Sequence, residues 1–256
     1  MPNKLHNFTK YIMIIFMSIS TSACVTGSKY MFWHGKDASE VVQVPKEVQK
    51  HYAAVTEGKF SLPAIDMSTI DKKYWRKSVD FPTKYPVGTI LVDTEQRLLY
   101  LIRPKGKAVR YGVGVGREGL ALTGTTTIGA KIKWPHWSPT KDMMVRDPDI
   151  YGNMQKGLEP GVDNPLGARA LYLFKDGKDS HFRIHGSHES WSIGKAMSSG
   201  CIRMLNQDVI DLYKHVSVGT KVIILNHDRS EIGADKPSLN NDETHQKFIK
   251  AVDIKT

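Results

Sequence analysis

Cysteine is scarce: the 256 residues hold only two, Cys24 and Cys201. That excludes a disulfide-built scaffold and any four-cysteine zinc or iron–sulfur site. Long apolar runs are missing too, with none near the ~18 residues that a spanning helix needs. Acidic side chains are outnumbered, 26 Asp+Glu against 36 Lys+Arg, giving a formal charge of +10. No internal repeat or low-complexity block interrupts the chain. A composition of 40% apolar and 24% charged residues is enough for a packed core, which excludes a wholly disordered chain. The length suits one domain with appendages, or two small ones.

The amino terminus points to a compartment. Lys4 and Lys10 precede a short apolar run over 11–20, and Thr21-Ser22-Ala23-Cys24 follows. A positive start, a short apolar stretch and a small-residue junction predict a secretory signal over residues 1–23. Its removal takes two lysines from the +10, leaving a mature charge of +8. Cleavage before Cys24 also suits bacterial lipoprotein processing, with Cys24 acylated, although Thr21 stands where the preferred motif has leucine. The expected location is the periplasm or cell envelope, and the membrane is a partner only through that lipid anchor. Export leaves Cys201 as the remaining thiol where thiols oxidise and pair. Catalysis explains a lone cysteine there, and burial as a small hydrophobe is the bland alternative.

Residues 24–83 lack clean periodicity and read as an extension or linker, with one short helix within 41–55 and the rest a tether or packing arm. Strand signals then become dense. The runs 89–93 and 97–102 predict two strands joined by a hairpin turn at 93–96. Further β-rich runs lie at 109–115, 125–128, 130–134, 169–174, 181–184 and 221–225. Many short strands punctuated by Gly and Pro indicate a mainly β sandwich or barrel rather than βαβ units. One helix stands out, with Asn206 as its N-cap, Val209, Ile210, Leu212, Tyr213 and Val216 at helical spacing, and Gly219 closing the unit. Residues 227–256 read as a mobile tail with a short helix near Phe248.

The chemistry concentrates in Phe182-Arg183-Ile184-His185-Gly186 and Ser198-Ser199-Gly200-Cys201-Ile202-Arg203, with Asn206-Gln207-Asp208 just beyond. Cys201 comes sixteen positions after His185, far enough for a loop to fold the thiol back onto the imidazole. A thiol of pKa ~8.5 is mostly protonated at neutral pH, and a neighbouring imidazolium shifts it toward the nucleophilic thiolate. Ser-Ser-Gly permits a tight turn whose N–H groups converge as an oxyanion hole.

These motifs resemble the L,D-transpeptidase (YkuD-domain) family, whose signature is His-Gly, a gap of this size, then Ser-x-Gly-Cys-x-Arg/Asn. Phe81 to Ile90, Pro165-Leu166-Gly167, Asn206-x-Asp208 and Gly219-Thr220-Lys221-Val222 extend the likeness over residues 84–226, the expected catalytic domain. Many members carry a second histidine where this chain has Ser199. The resemblance implies a β-sandwich or barrel-like catalytic domain with one short helix after the cysteine. It implies Cys201 as nucleophile, His185 as its base and proton shuttle, and the Gly186 carbonyl as the group that orients the imidazole. N–H groups around Gly200 and Cys201 would form the oxyanion hole. Arg203 would hold a substrate carboxylate, with a structural ion pair as the alternative. Ser198 and Ser199 would position substrate or serve the turn, and Trp191 would flank the pocket or pack as a lid. The implied reaction is acyl transfer from a peptidoglycan tetrapeptide stem, with D-alanine released, to a second stem, a D-amino acid or an envelope protein. No metal or organic cofactor is implied, and nucleic acid is excluded as a partner by export and the lack of a recognition module.

Two rivals stand beside this reading. His181, His185, His188 and Cys201 offer ligands for a metal-dependent hydrolase, with His181 and His185 on one strand face. A non-catalytic lipoprotein that only binds cell wall is the other. Trp134-Pro135-His136-Trp137-Ser138-Pro139 either rims a glycan groove or ends a strand that packs on the domain.

Overall fold

The protein's computed structural model describes residues 42–116, 123–198 and 200–225. The signal segment, Cys24, Ser199 and the tail with its expected helix near Phe248 lie outside the described residues.

Helix α1 (Lys46–His51) leads into a hairpin of β1 (Val55–Glu57) and β2 (Phe60–Leu62). The main strands follow: β3 (Lys77–Asp80), β4 (Ile90–Asp93), β5 (Leu98–Arg103) and β6 (Lys107–Gly112). After the short β7 (Val115–Gly116) come β8 (Gly124–Lys133), β9 (Arg169–Lys175) and β10 (Lys178–Ser187). Helices α2 (Lys141–Arg146) and α3 (Pro148–Tyr151) sit between β8 and β9. The chain continues through β11 (Ala196–Ser198), β12 (Ile202–Leu205), α4 (Asn206–His215) and β13 (Lys221–Leu225).

Nine of these strands form one mixed sheet in the order β12-β10-β9-β8-β13-β4-β5-β6-β3. Its pairs are antiparallel except β10 with β12 and β13 with β4. The sheet curls until its β12 edge meets the chain leaving β6. There Gly114 and Arg203 exchange N–H···O bonds of 2.9 and 2.8 Å. The fold is mainly β, and the curl gives the sandwich or barrel-like body expected from the strand density.

Continuous apolar runs mark strands covered on both faces. Strand β4 is buried at every position. Ile90 and Val92 join a core with Leu99, Leu101, Leu171, Leu173 and Ile184, while Leu91 faces a second cluster with Ile223 and Leu225. The arm before β3 packs rather than trailing: Tyr52, Met67, Ile70 and Trp75 form a cluster with Ile193 and Leu205. Its helix is α1, inside the 41–55 window.

Three local expectations differ from the fold. The runs 125–128 and 130–134 are one strand, β8, whose register shifts between Ile128 and Ala130. Asn206 is not the cap of α4: Leu205 takes that position, and the Asn206 amide is used elsewhere. His181 does not share a flat strand face with His185, because the backbone turns left-handed at His181 (φ 63°). No helix among the described residues is long and apolar enough to cross a membrane.

Candidate active site

Register builds the site. In the parallel pair β10–β12, Ile184 lies opposite Ile202 and His185 opposite Arg203. Both isoleucines are buried in the main core. Side chains alternate along a strand, so Arg183, His185 and Arg203 fall on the other face. Cys201 immediately precedes β12, level with Arg183, one diagonal step from His185 on that face. Strands about 4.8 Å apart with a rise of about 3.3 Å per residue place such Cα atoms roughly 8 Å apart, a span that a cysteine and a histidine side chain can close. His185 and Cys201 also lie within electrostatic reach of the same two guanidiniums, those of Arg183 and Arg203.

The imidazole is fixed. His185 Nδ1 lies 2.6 Å from the Gly186 carbonyl oxygen. A carbonyl only accepts, so Nδ1 carries the proton and Nε2 keeps its lone pair. Gly186 is itself held: a Cβ there would come within 2.2 Å of the Asn206 Oδ1. Asn206 accepts from the Ala168 N–H (2.9 Å) and donates to the Ser187 carbonyl (3.1 Å), tying the first turn of α4 to β10 and the entry to β9.

Burial sets the charge state. It lowers the His185 pKa to about 4, the two guanidiniums adding to the effect and the Gly186 carbonyl opposing it. Burial likewise pushes the Cys201 thiol up, against the Arg183 N–H and the same guanidiniums. Burial thus favours the neutral imidazole at His185 and the protonated thiol at Cys201. Desolvation penalises both charged forms.

The remaining predicted residues are placed as follows. Gly200 adopts φ 118°, and a Cβ there would come 2.9 Å from the Phe182 ring, so the turn before Cys201 favours glycine. The Ser198 backbone belongs to β11, which pairs with β7. The Arg203 guanidinium is engaged by Glu189 (Nη1 to Oε2, 2.5 Å), the ion-pair alternative for that residue. Trp191 lies on the 3-10 turn Ser190–Ser192, half exposed, with the Lys195 ammonium 5.1 Å from its ring centre. It lines a groove with Ile70, Asp71 and Tyr74 from the arm. Trp134 stacks on Phe60 (4.1 Å between centres) and donates to Glu57, so that end of β8 packs on the hairpin.

His181 and His188 are exposed while His185 is buried. Among the described residues no group of three or more His, Cys, Asp or Glu side chains is disposed to hold a metal ion.

Arg183 and Asp179 were not singled out in the sequence. Across a bulge in β10, both Asp179 oxygens accept from the Arg183 guanidinium at 2.7 and 2.8 Å, and Arg183 opposes the upward push of burial on the Cys201 thiol. Its place two positions before His185 on a strand was the available signal, since period two puts both on one face.

A thiol, a carbonyl-anchored imidazole and a glycine turn on one face of a curled sheet are a constellation suited to thiol-based acyl transfer. Residues 88–224, more than half of the chain, match the YkuD family, the L,D-transpeptidase catalytic domain, and the chain belongs to that family. YcfS of Escherichia coli K12, a probable L,D-transpeptidase, is 31% identical over 169 residues, covering 65% of this chain and 52% of its own. A putative L,D-transpeptidase from the ATP synthase subunits region of Fuscovulum blasticum is 37% identical over 154 residues, covering 59% of this chain and 75% of its own. A Brucella melitensis crystal structure, titled a probable carnitine operon oxidoreductase, is 48% identical. It covers 62% of this chain and 99% of its own, with a TM-score of 0.44. The matched chain spans about half the length of the E. coli relative.

Proposed function

We propose that this protein is an exported, cysteine-dependent peptidoglycan L,D-transpeptidase, with Cys201 as nucleophile and His185 as base. The observation that carries the reading is the imidazole pinned by the Gly186 carbonyl at 2.6 Å, on the strand beside the one that Cys201 opens. The Cys201 sulfur attacks the carbonyl of the third, diamino-acid residue of a tetrapeptide stem. His185 Nε2 takes the thiol proton and passes it to the departing D-alanine amine. The N–H groups at Gly200 and Cys201 receive the oxyanion. A thioester is left; an amine attacks it, gives its proton to His185, and the thiol is restored. The acceptor is a second stem, a D-amino acid or an envelope protein. The mature charge favours the carboxylate-rich wall, and Cys24 acylation would hold the enzyme at the envelope.

Incubating the protein with a purified disaccharide-tetrapeptide tests this. The expected result is D-alanine release and a thioester adduct on Cys201 by intact mass, both lost in Cys201→Ala with the fold retained. Retention of the muropeptide without release would indicate a binding protein instead. Turnover abolished by EDTA but not by a thiol alkylator would overturn the thioester scheme.

A further inference from the structure

The face of β12 that begins at Cys201 runs on past Arg203. Ile202 and Met204 join the main core, so Cys201, Arg203 and Leu205 share the opposite side of the strand. Leu205 stands four residues on, about 13 Å along an extended strand. It packs there with Ile70 and Trp75 of the arm and with Ile193, from the loop that separates the two site motifs. Ile70 and Ile193 also line the groove that Trp191 borders, which holds about 300 Å³. Both walls of that groove are fixed. The loop wall is bonded to the chain leaving β6, the Gly194 N–H to the Val113 carbonyl and the Val115 N–H to the Lys195 carbonyl, each at 3.0 Å. The arm wall is packed against it, and a Cβ at Gly194 would come within 2.3 Å of the Tyr74 ring. A pre-formed hollow with apolar lining and a few polar groups has the make-up of a small-ligand site.

We propose that this groove is a sugar subsite, which holds an N-acetylated amino sugar of the glycan strand against Trp191 while the attached stem runs along β12 to Cys201. The inference rests on the reading of the chain as a peptidoglycan transpeptidase. Three observations select a sugar. Trp191 is 50% exposed and offers a flat apolar surface with a polar edge, suited to the C–H face of a pyranose. The two charged side chains that line the groove, Asp71 and Lys195, are of opposite sign, so the lining favours a neutral ligand rich in hydroxyl and amide groups over the carboxylate-bearing stem. The spacing also agrees. Three residues of extended stem span about 10 Å, and the lactyl link to the sugar lengthens that reach toward the 13 Å between Cys201 and Leu205.

Calorimetric titration of the full chain with an N-acetylglucosamine tetramer reads the subsite without any turnover. Wild type binds the tetramer, and Trp191→Ala, which removes the platform, weakens binding by about tenfold or more. Ser190→Trp fills the groove from its loop wall and abolishes binding, so the ring and the space are tested independently. Val218→Ala, an exposed apolar position outside the groove, stays within about twofold of wild type. Sugar-free tetrapeptide does not displace the tetramer. No binding by wild type, equal affinity in Trp191→Ala, or displacement by the tetrapeptide overturns the proposal. D-alanine release from the muropeptide without sugar binding would sink the subsite alone. Sugar binding that depends on Trp191, with no D-alanine release, would sink the transpeptidase reading and leave the subsite standing.

Discussion

Replacing His185 with glutamine changes how stability responds to acid, and the size of that change follows from burial. Folding takes the imidazole from its ordinary 6.5 to about 4. The folded chain therefore refuses a proton that the unfolded chain accepts between those values. A depressed basic group contributes stability that is complete above the unfolded pKa and is lost as pH falls through the window. At 1.36 kcal/mol per pKa unit, the loss reaches about 3 kcal/mol near pH 4. The substituted amide would keep an N–H for the Gly186 carbonyl and never ionises. Urea denaturation of wild type and His185→Gln in steps from pH 7.5 to 4 measures the effect. The stability difference is constant above about pH 6.5 and then shifts in favour of the variant by about 3 kcal/mol at pH 4. Asp208 has the opposite slope, because burial raises it from 3.8 to about 7 and stability is lost as pH rises through that interval. That contribution is common to both proteins and cancels in the difference. A difference that stays flat across the series would refute a neutral, desolvated imidazole.

Three further outcomes follow from the packing. Asn206→Ala strands the Ala168 N–H and the Ser187 carbonyl in the interior and lowers stability by about 2–4 kcal/mol in thermal or urea melts, with turnover falling as Gly186 loosens. Arg76 reaches Asp208 (3.5 Å) and Asp211 (3.0 Å) between the arm and α4, and Asp208 is fully buried. Arg76→Ala leaves that carboxylate uncompensated and costs about 3–5 kcal/mol, whereas Lys107→Ala at the exposed Asp80 pair costs under about 1 kcal/mol. Equal losses from the two would contradict the difference in burial. Gly200→Ala forces a side chain onto φ 118° against Phe182, costing about 1–3 kcal/mol, and D-alanine release drops more than in a surface Gly→Ala control.

The strands and the Cys–His motif were legible because they are local signals: apolar, β-branched runs, turn residues, and two short motifs at a set spacing. What stayed hidden depends on partners far along the chain. Asn206 resembles a helix cap by type, yet its amide bonds Ala168 and Ser187. Asp208 looks like a solvated first-turn acid, yet it is buried against Tyr52 and Arg76 from the arm. Gln207 donates to the Ala53 and Pro63 carbonyls, so three successive polar residues each fasten a different segment. The arm has no periodicity to read because its order comes from these contacts and from the Tyr52–Trp75 cluster. The bulge at Asp179–Arg183 escaped for a related reason. Nothing in Asp-Ser-His-Phe-Arg announces a left-handed histidine, and the clamp exists only when both ends of the kink meet.

The join where Gly114 meets Arg203 has a consequence for how such a protein is tuned. It is a seam rather than a ladder, two backbone bonds wide, and the strand on one side of it is the one that follows Cys201. Stitching the seam tighter, or letting it breathe, would shift the floor beneath Cys201, the nucleophile proposed above, without altering any side chain around it. Substitutions around Gly114, on the opposite hem, would thus act on Cys201 through the backbone alone.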